Sequence, residues 1–149
     1  MKKKITVMTK MERIAAAIRG DAVDTVPYSL WSHLPLIDLD PVKNAEQTYG
    51  FYKTYDVDIL KTMNNGMYSV EDFGAVADYS EIAGGGAAKI ISTPVHRPKD
   101  WLDLKPVSVN AGALAREQEY LRLLLDKTRG TVPVLSLIHI SEPTRLDVI

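Results

Sequence analysis

"VDILKTM", Val57 to Met63, followed by Asn64-Asn65-Gly66, is the stretch on which the fold turns. Val57, Ile59, Leu60 and Met63 make it a short apolar run, and the turn-forming tripeptide closes it, so it predicts a strand. On its N-terminal side, Asp40-Pro41 can cap and start a helix running to about Tyr55, aromatic-rich through Tyr49, Phe51 and Tyr52. On its C-terminal side, a long helix is predicted from about Gly112 to Arg129, followed by Gly130. Leu114, Leu121, Leu124 and Leu125 are expected on its buried face. "TVPVL", from Thr131, then reads as another strand. Strands alternating with helices in this way argue βαβ units and a parallel sheet.

The rest of the chain fits around that unit. Thr9-Lys10-Met11-Glu12 is a capping box opening a helix with Ile14, Ala15 and Ile18 as its stripe and Gly20 at its end. "VPYSLW", Val26 to Trp31, predicts a strand with its proline at the start, where a missing donor is tolerated. Ser69 to Phe73 predicts a short helical turn ended by Gly74. Gly84-Gly85-Gly86 is a flexible hinge before "AAKIIST", a third apolar strand in a β excursion, and Pro98 to Leu104 predicts a short helix and loop. The fold class is α/β. Both a doubly wound sheet and a (β/α)8 barrel satisfy the pattern.

Composition excludes several functions. The chain has 149 residues, 46% hydrophobic and 25% charged, with net charge -1. That balance offers no electrostatic case for nucleic acid or an anionic membrane surface. Met1-Lys2-Lys3-Lys4 is basic, but no apolar segment follows to make a secretory signal. No run approaches the roughly 18 apolar residues of a spanning helix. With no cysteine, disulfides and thiolate metal sites are excluded for the residues present. A cytoplasmic protein is expected. The triple glycine lacks the following lysine and hydroxyl residue of a phosphate-binding P-loop.

"RIAAAIRGDAVDTVPYSLW", "YDVDILKTMNNGMYSVEDFGA", "PKDWLDL" and "TVPVL" together, in this order and spacing, resemble the uroporphyrinogen decarboxylase superfamily from Met11 to about Val134. That family contains haem-pathway decarboxylases, corrinoid:thiol methyltransferases and uncharacterised relatives. The resemblance implies the N-terminal part of a (β/α)8 TIM barrel, with its active site at the C-terminal ends of the strands. The decarboxylases carry two arginines after the first strand that clamp substrate carboxylates, work suited to a planar bidentate fork. Trp31-Ser32-His33 stands there instead, with no arginine between Arg19 and Arg97. They also carry an aspartate after the second strand, where this chain has Met63-Asn64-Asn65. Both departures favour the methyltransferase branch over decarboxylation in porphyrin biosynthesis; a non-catalytic corrinoid- or tetrapyrrole-binding relative is the other alternative. The resemblance implies zinc and a corrinoid partner for the parent protein, with the zinc ligands in a later half, and no metal site in this fragment.

"LSLIHISEPTR", Leu135 to Arg145, matches letter for letter the translation of a common transposase-type sequencing adapter. Residues 1–134 are therefore expected to be the native N-terminal portion of the barrel, and 135–149 a non-native tail. His139 is then no ligand candidate. Without Arg145, Glu142 and Asp147 the native part has 17 basic and 17 acidic residues. About 134 residues are roughly half of a typical 250-residue barrel. Open sheet edges and an unfilled interior would leave the chain as written poorly soluble or molten, and inactive.

The candidate residues sit at the expected strand ends. His33 can act as a base or bind substrate, against the reading of a plain loop histidine. Trp31 can stack on a planar ligand or simply pack. Asn64 and Asn65 line the expected mouth, or serve only the turn. Tyr68 and Glu71 can donate and accept protons, since a desolvated carboxylate gains a raised pKa. Against that, Glu71 fits a solvated acid favoured by a helix dipole. Asp56 and Asp58 flank Val57 and are expected to be exposed.

Overall fold

The computed structural model describes residues 6–136. Most of the expected tail, from Leu137 to Ile149 and including His139, lies outside the described residues. Helix α1 (Lys10–Arg19) opens with the expected capping box: the Thr9 N–H donates to Glu12 Oε2 at 2.8 Å, and the Glu12 N–H donates to Thr9 Oγ1 at 3.3 Å. Gly20, at φ 76°, ends it in the left-handed conformation. Its buried residue is Ala16, not the expected stripe; Ile18 is 81% exposed.

Helix α2 (Pro41–Tyr55) starts on Asp40, whose carboxylate accepts from the N–H groups of Val42 and Lys43 at 3.1 Å. Strand β1 (Leu60–Lys61) follows, then a four-residue helix α3 (Tyr68–Glu71). Strands β2 (Val76–Asp78) and β3 (Lys89–Ser92) form an antiparallel pair of their own. Helix α4 (Gly112–Thr128) and strand β4 (Val134–Leu135) complete the described order. Strand β4 pairs with β1 in parallel, Leu60 opposite Val134 and Lys61 opposite Leu135. The Leu60 and Thr62 N–H groups donate to Pro133 O and Leu135 O, both at 2.9 Å. The expected βαβ unit is present. Because main-chain groups make that pairing, its extension through Leu135 is indifferent to that side chain's origin.

One core holds the unit together. Ala45 and Tyr52 of α2, Tyr120 and Leu124 of α4, and Val57, Leu60 and Val132 beside the parallel pair form a single buried cluster. Burial of this kind stabilises at about 25 cal/mol per Å² of apolar surface. The face of α4 that reaches it keeps Leu124 of the expected leucine stripe but not Leu125. Ala113, Glu117, Tyr120, Leu124 and Thr128 are its buried residues, spaced at helical period, while Leu125 is about half exposed. An ionisable residue, Glu117, thus occupies a position that the periodicity reserves for the interior.

Two further expectations are corrected. Residues 26–31 run beside the approach to β1 but are not a strand. The Asp58 N–H donates to Tyr28 O at 2.9 Å, but the Asp58 carboxylate accepts from the Tyr28 N–H and the Ser29 hydroxyl donates to Ile59 O, so side chains replace the ladder. Asp58 itself is 2% exposed, bound to Arg13, whose Nε also holds Asp24 at 2.7 Å. Asp56 is exposed as expected, paired with Lys10. The triple glycine is more than a hinge. Gly85 adopts φ 87°, and a Cβ on Gly86 would come within 2.8 Å of Glu81. The described residues form one parallel pair and one antiparallel pair, and no closed barrel.

Candidate functional site

The segment leaving β1 is gripped at Met63 by a closed ring of hydrogen bonds. The Met63 N–H donates to Tyr120 Oη at 2.8 Å, and Tyr120 Oη lies 2.9 Å from Thr48 Oγ1. Thr48 Oγ1 donates to Asn44 Oδ1 at 3.3 Å, and Asn44 Nδ2 returns to Met63 O at 3.0 Å. Since Tyr120 Oη already accepts from Met63, and Thr48 spends its proton on Asn44, Tyr120 must donate to Thr48. All four residues are buried. Burial pushes the Tyr120 phenol up to about 12, so it stays a donor. Helices α2 and α4 thereby set where Asn64 and Asn65 emerge at the C-terminal end of the strand.

The two asparagines then diverge. Asn64 Nδ2 donates to Glu117 Oε2 at 2.7 Å, and its carbonyl accepts from the Thr62 hydroxyl. Both polar ends of Asn64 are engaged within the protein. Asn65 is buried, where Asn64 is only partly so; its Oδ1 accepts from the Met67 N–H at 2.9 Å and from the Tyr79 hydroxyl at 3.3 Å. Unlike Asn64, Asn65 lines a cavity of about 310 Å³ together with His33, Asp38 and Tyr79.

An acid–base chain continues from Asn64 into α4. Glu117 is 0% exposed; burial pushes its carboxyl up, against opposing pulls from Asn64 and Arg116. Arg116 Nε stands 3.5 Å from Glu117 Oε1, and Arg116 forks onto Glu71, with Nη2 to Oε2 at 3.0 Å and Nη1 to Oε1 at 3.3 Å. Glu71, expected as a proton acceptor, is thus taken up by an ion pair. Tyr68 is partly buried, and burial together with the charge of Glu117 raises its phenol. It feels the charge of Glu117 and does not line the cavity.

Asp38 is the cavity's acid. It is 6% exposed, and its Oδ1 has no hydrogen-bond partner among the described residues. Burial pushes its carboxyl up, against smaller pulls from Asn65, Arg116 and His33. The turn that presents it starts at Leu36, whose φ of 67° and ψ of -36° lie where side-chain-bearing residues are strained. His33 is exposed at the rim, with its ring edge-on to Trp31, centroids 4.3 Å apart. Trp31 in turn lies under Lys61 Nζ, 3.7 Å from the ring centroid.

Of the expected residues, His33 and Asn65 meet at the cavity, Trp31 flanks it through His33, and Asn64, Tyr68 and Glu71 gather around Glu117 and Arg116. Asp38, Lys61, Tyr79, Arg116 and Glu117 were not singled out from the sequence. Glu117 had a signal, an acid on the phase of Ala113, Tyr120 and Leu124. Asp38, between Ile37 and Leu39, had a fainter one. Among the described residues no three His, Cys, Asp or Glu gather in a way that could hold a metal ion, and no helix is long and apolar enough to cross a membrane.

Neither the protein-family models nor the curated proteins contain a match to this chain. Among solved structures, a methyltransferase from Methanosarcina mazei is similar, with TM-score 0.64 at 17% identity. The similarity covers 87% of this chain and 42% of the other, so this chain spans about two-fifths of that protein's length. The likeness is one of fold, a mixed α/β arrangement.

Proposed function

We propose that this chain is the opening part of a (β/α)8 barrel enzyme of the methyl-transferring kind, and that residues 31–38, 62–71 and 116–117 build one wall of its active-site mouth. The observation that carries this reading is the fold likeness to a methyltransferase, with the polar network placed at the C-terminal end of a parallel pair. A second observation favours methyl transfer over decarboxylation of a polycarboxylate. Arg116, which flanks this mouth, already serves Glu71 and Glu117 and is not free to clamp substrate carboxylates. In this reading Trp31 with Lys61 offers a flat face, the Asn64–Glu117 bond fixes the loop, and the cavity at Asn65 and Asp38 receives a substrate group. Zinc and a corrinoid partner belong to the reading through family resemblance. With no cysteine, this chain lacks the thiolate donors such a zinc would need, so none of its residues is assigned to the metal.

The test uses the full-length protein expressed from the continuous reading frame. Incubation with methylcobalamin and a thiol should methylate the thiol, and uroporphyrinogen should release no carbon dioxide. Carbon dioxide release without methyl transfer would replace this reading with the decarboxylase one. Tight cobalamin binding with neither reaction would mean a non-catalytic binder.

A further inference from the structure

The antiparallel ribbon of β2 and β3 contributes no residue to the buried cluster between α2 and α4. A two-stranded ribbon is marginal in water unless it packs on something. Every residue of β3 is exposed, Ile90 and Ile91 among them. Where the ribbon passes Phe73 and Trp101 it borders an apolar cavity of about 430 Å³, so it is not close-packed against its support. Its two ends meet in a narrow neck. Gly74, at φ 100°, precedes β2, and a Cβ built there would lie 3.9 Å from the Cβ of Pro94, which follows β3. A backbone change at that glycine can swing the ribbon without unpairing its strands. The far end is a compact tip, residues 79–88. Inside it the Gly84 and Gly86 N–H groups donate to Glu81 O at 3.1 and 2.9 Å, and the Gly85 N–H donates to Ile82 O at 2.9 Å. Lys89 pairs with Glu81 at its base. The triple glycine thus shapes a tip that holds together, and the pivot lies at the neck.

That tip supplies one wall of the cavity at the mouth. Tyr79, Ile82 and Ala87 line it from the tip; His33, Asp38 and Asn65 line it from the body. Among the described residues, one hydrogen bond ties ribbon and tip to the mouth, from the Tyr79 hydroxyl to Asn65 Oδ1 at 3.3 Å. It is long for an O–H···O bond. When it breaks, Asn65 Oδ1 keeps the Met67 N–H, so the floor of the cavity stays formed. We propose that residues 79–88 are a lid over this mouth, pivoting at Gly74 and Pro94 and latched by the Tyr79 hydroxyl on Asn65. The structure holds the lid closed. Opening breaks one neutral hydrogen bond and a few alkyl contacts, and spares both the strand pairing and the ring around Met63. Closed, the lid keeps bulk water from Asp38 and Asn65, both buried, and so strengthens the electrostatics around them. The lid's purpose rests on reading this mouth as an active site; its pivot and latch do not.

The experiment compares the full-length wild type with Tyr79→Phe by amide relaxation dispersion and by broadening from 4-hydroxy-TEMPO, a neutral nitroxide. In the wild type, amides across 79–88 should show microsecond-to-millisecond exchange at one shared rate, as a body that moves as a unit requires. Losing one neutral hydrogen bond should raise the open population about two- to tenfold in Tyr79→Phe. The nitroxide should then broaden the Asn65 and Asp38 amides more in the variant, while the Leu60 and Leu124 amides stay sharp in both proteins. Flat dispersion across the tip in both proteins would overturn the proposal, as would rates that differ from residue to residue, which mean a fraying loop. A lowered thermal midpoint in Tyr79→Phe with unchanged broadening would also overturn it, by making the tyrosine purely structural. A protein that transfers no methyl group yet shows the shared rate and the Tyr79 effect would support the lid and sink only the methyl-transfer reading. An active methyltransferase with a static tip would do the reverse.

Discussion

Replacing Tyr120 by phenylalanine removes one oxygen from the closed ring that holds Met63. The ring is 1% exposed at Tyr120 and 0% at Thr48 and Asn44, so water cannot take the missing atom's place without opening the core. Two bonds disappear: the one from the Met63 N–H at 2.8 Å and the one to Thr48 Oγ1 at 2.9 Å. The Met63 N–H becomes a buried donor without an acceptor, which costs about 1–3 kcal/mol. Thr48 loses a donor but keeps its bond to Asn44, a smaller loss. The expected destabilisation is about 2–3 kcal/mol, with no change in buried apolar area. Urea unfolding of the full-length protein should show it as a lower midpoint at unchanged m-value. Hydrogen exchange at the Met63 amide should quicken ahead of its neighbours. Thr48→Val should cost less when Tyr120 is already phenylalanine, because the two share a bond. A loss below about 0.5 kcal/mol, the range of ordinary surface changes, would refute the ring as the anchor of the strand end.

Three other outcomes are expected. Gly112 sits at φ 64°, and a Cβ there would lie 2.0 Å from Asp72 Oδ1, the carboxylate oxygen that takes the Ala113 N–H. Gly112→Ala should therefore cost about 2–3 kcal/mol, from left-handed strain plus a lost cap, read by chemical denaturation. Glu117, whose carboxyl is raised on folding, holds its proton in the native state after the unfolded chain has released it. Its contribution is thus fully present below the unfolded carboxyl pKa and is lost as pH rises through the folded one. Glu117→Gln should flatten the fall in stability across that window; identical pH profiles for variant and wild type would contradict the burial account. The 149-residue chain itself should show no cooperative melt and little near-UV circular dichroism, since Val7, Ile18, Val26, Ile91, Trp101 and Leu102 remain exposed. An ordered near-UV spectrum with a sharp transition would reverse that expectation.

Local chemistry was legible in the sequence wherever a single residue's physics decides the outcome. The Thr9–Glu12 box, the Asp40-Pro41 start and the parallel return at Val134 all follow from capping and periodicity. What escaped was decided by partners distant in the chain. Asp58 looks like a surface acid until Arg13, 45 residues away, is placed beside it. Residues 26–31 have a strand's composition, yet the Asp58 side chain takes the hydrogen bond that a ladder would use. On α4 the leucine pattern placed Leu124 inside correctly but Leu125 wrongly, because Tyr120, held in the ring around Met63, turns the helix so that Leu125 faces outward. The site divides the same way. Asn64 and Asn65 announce a turn, but that one faces Glu117 and the other Asp38 depends on packing between α4 and the Leu36 turn.

In our reading this chain opens a methyltransferase-like barrel whose mouth lies at Asn65, Asp38 and Glu117. Sequencing the source DNA through the codon for Val134, from a library made without the transposase adapter, decides whether it does. The frame should continue as an apolar strand into further βα units. A genomic sequence that reads Leu135 to Ile149 as written, followed by a stop, would contradict that reading.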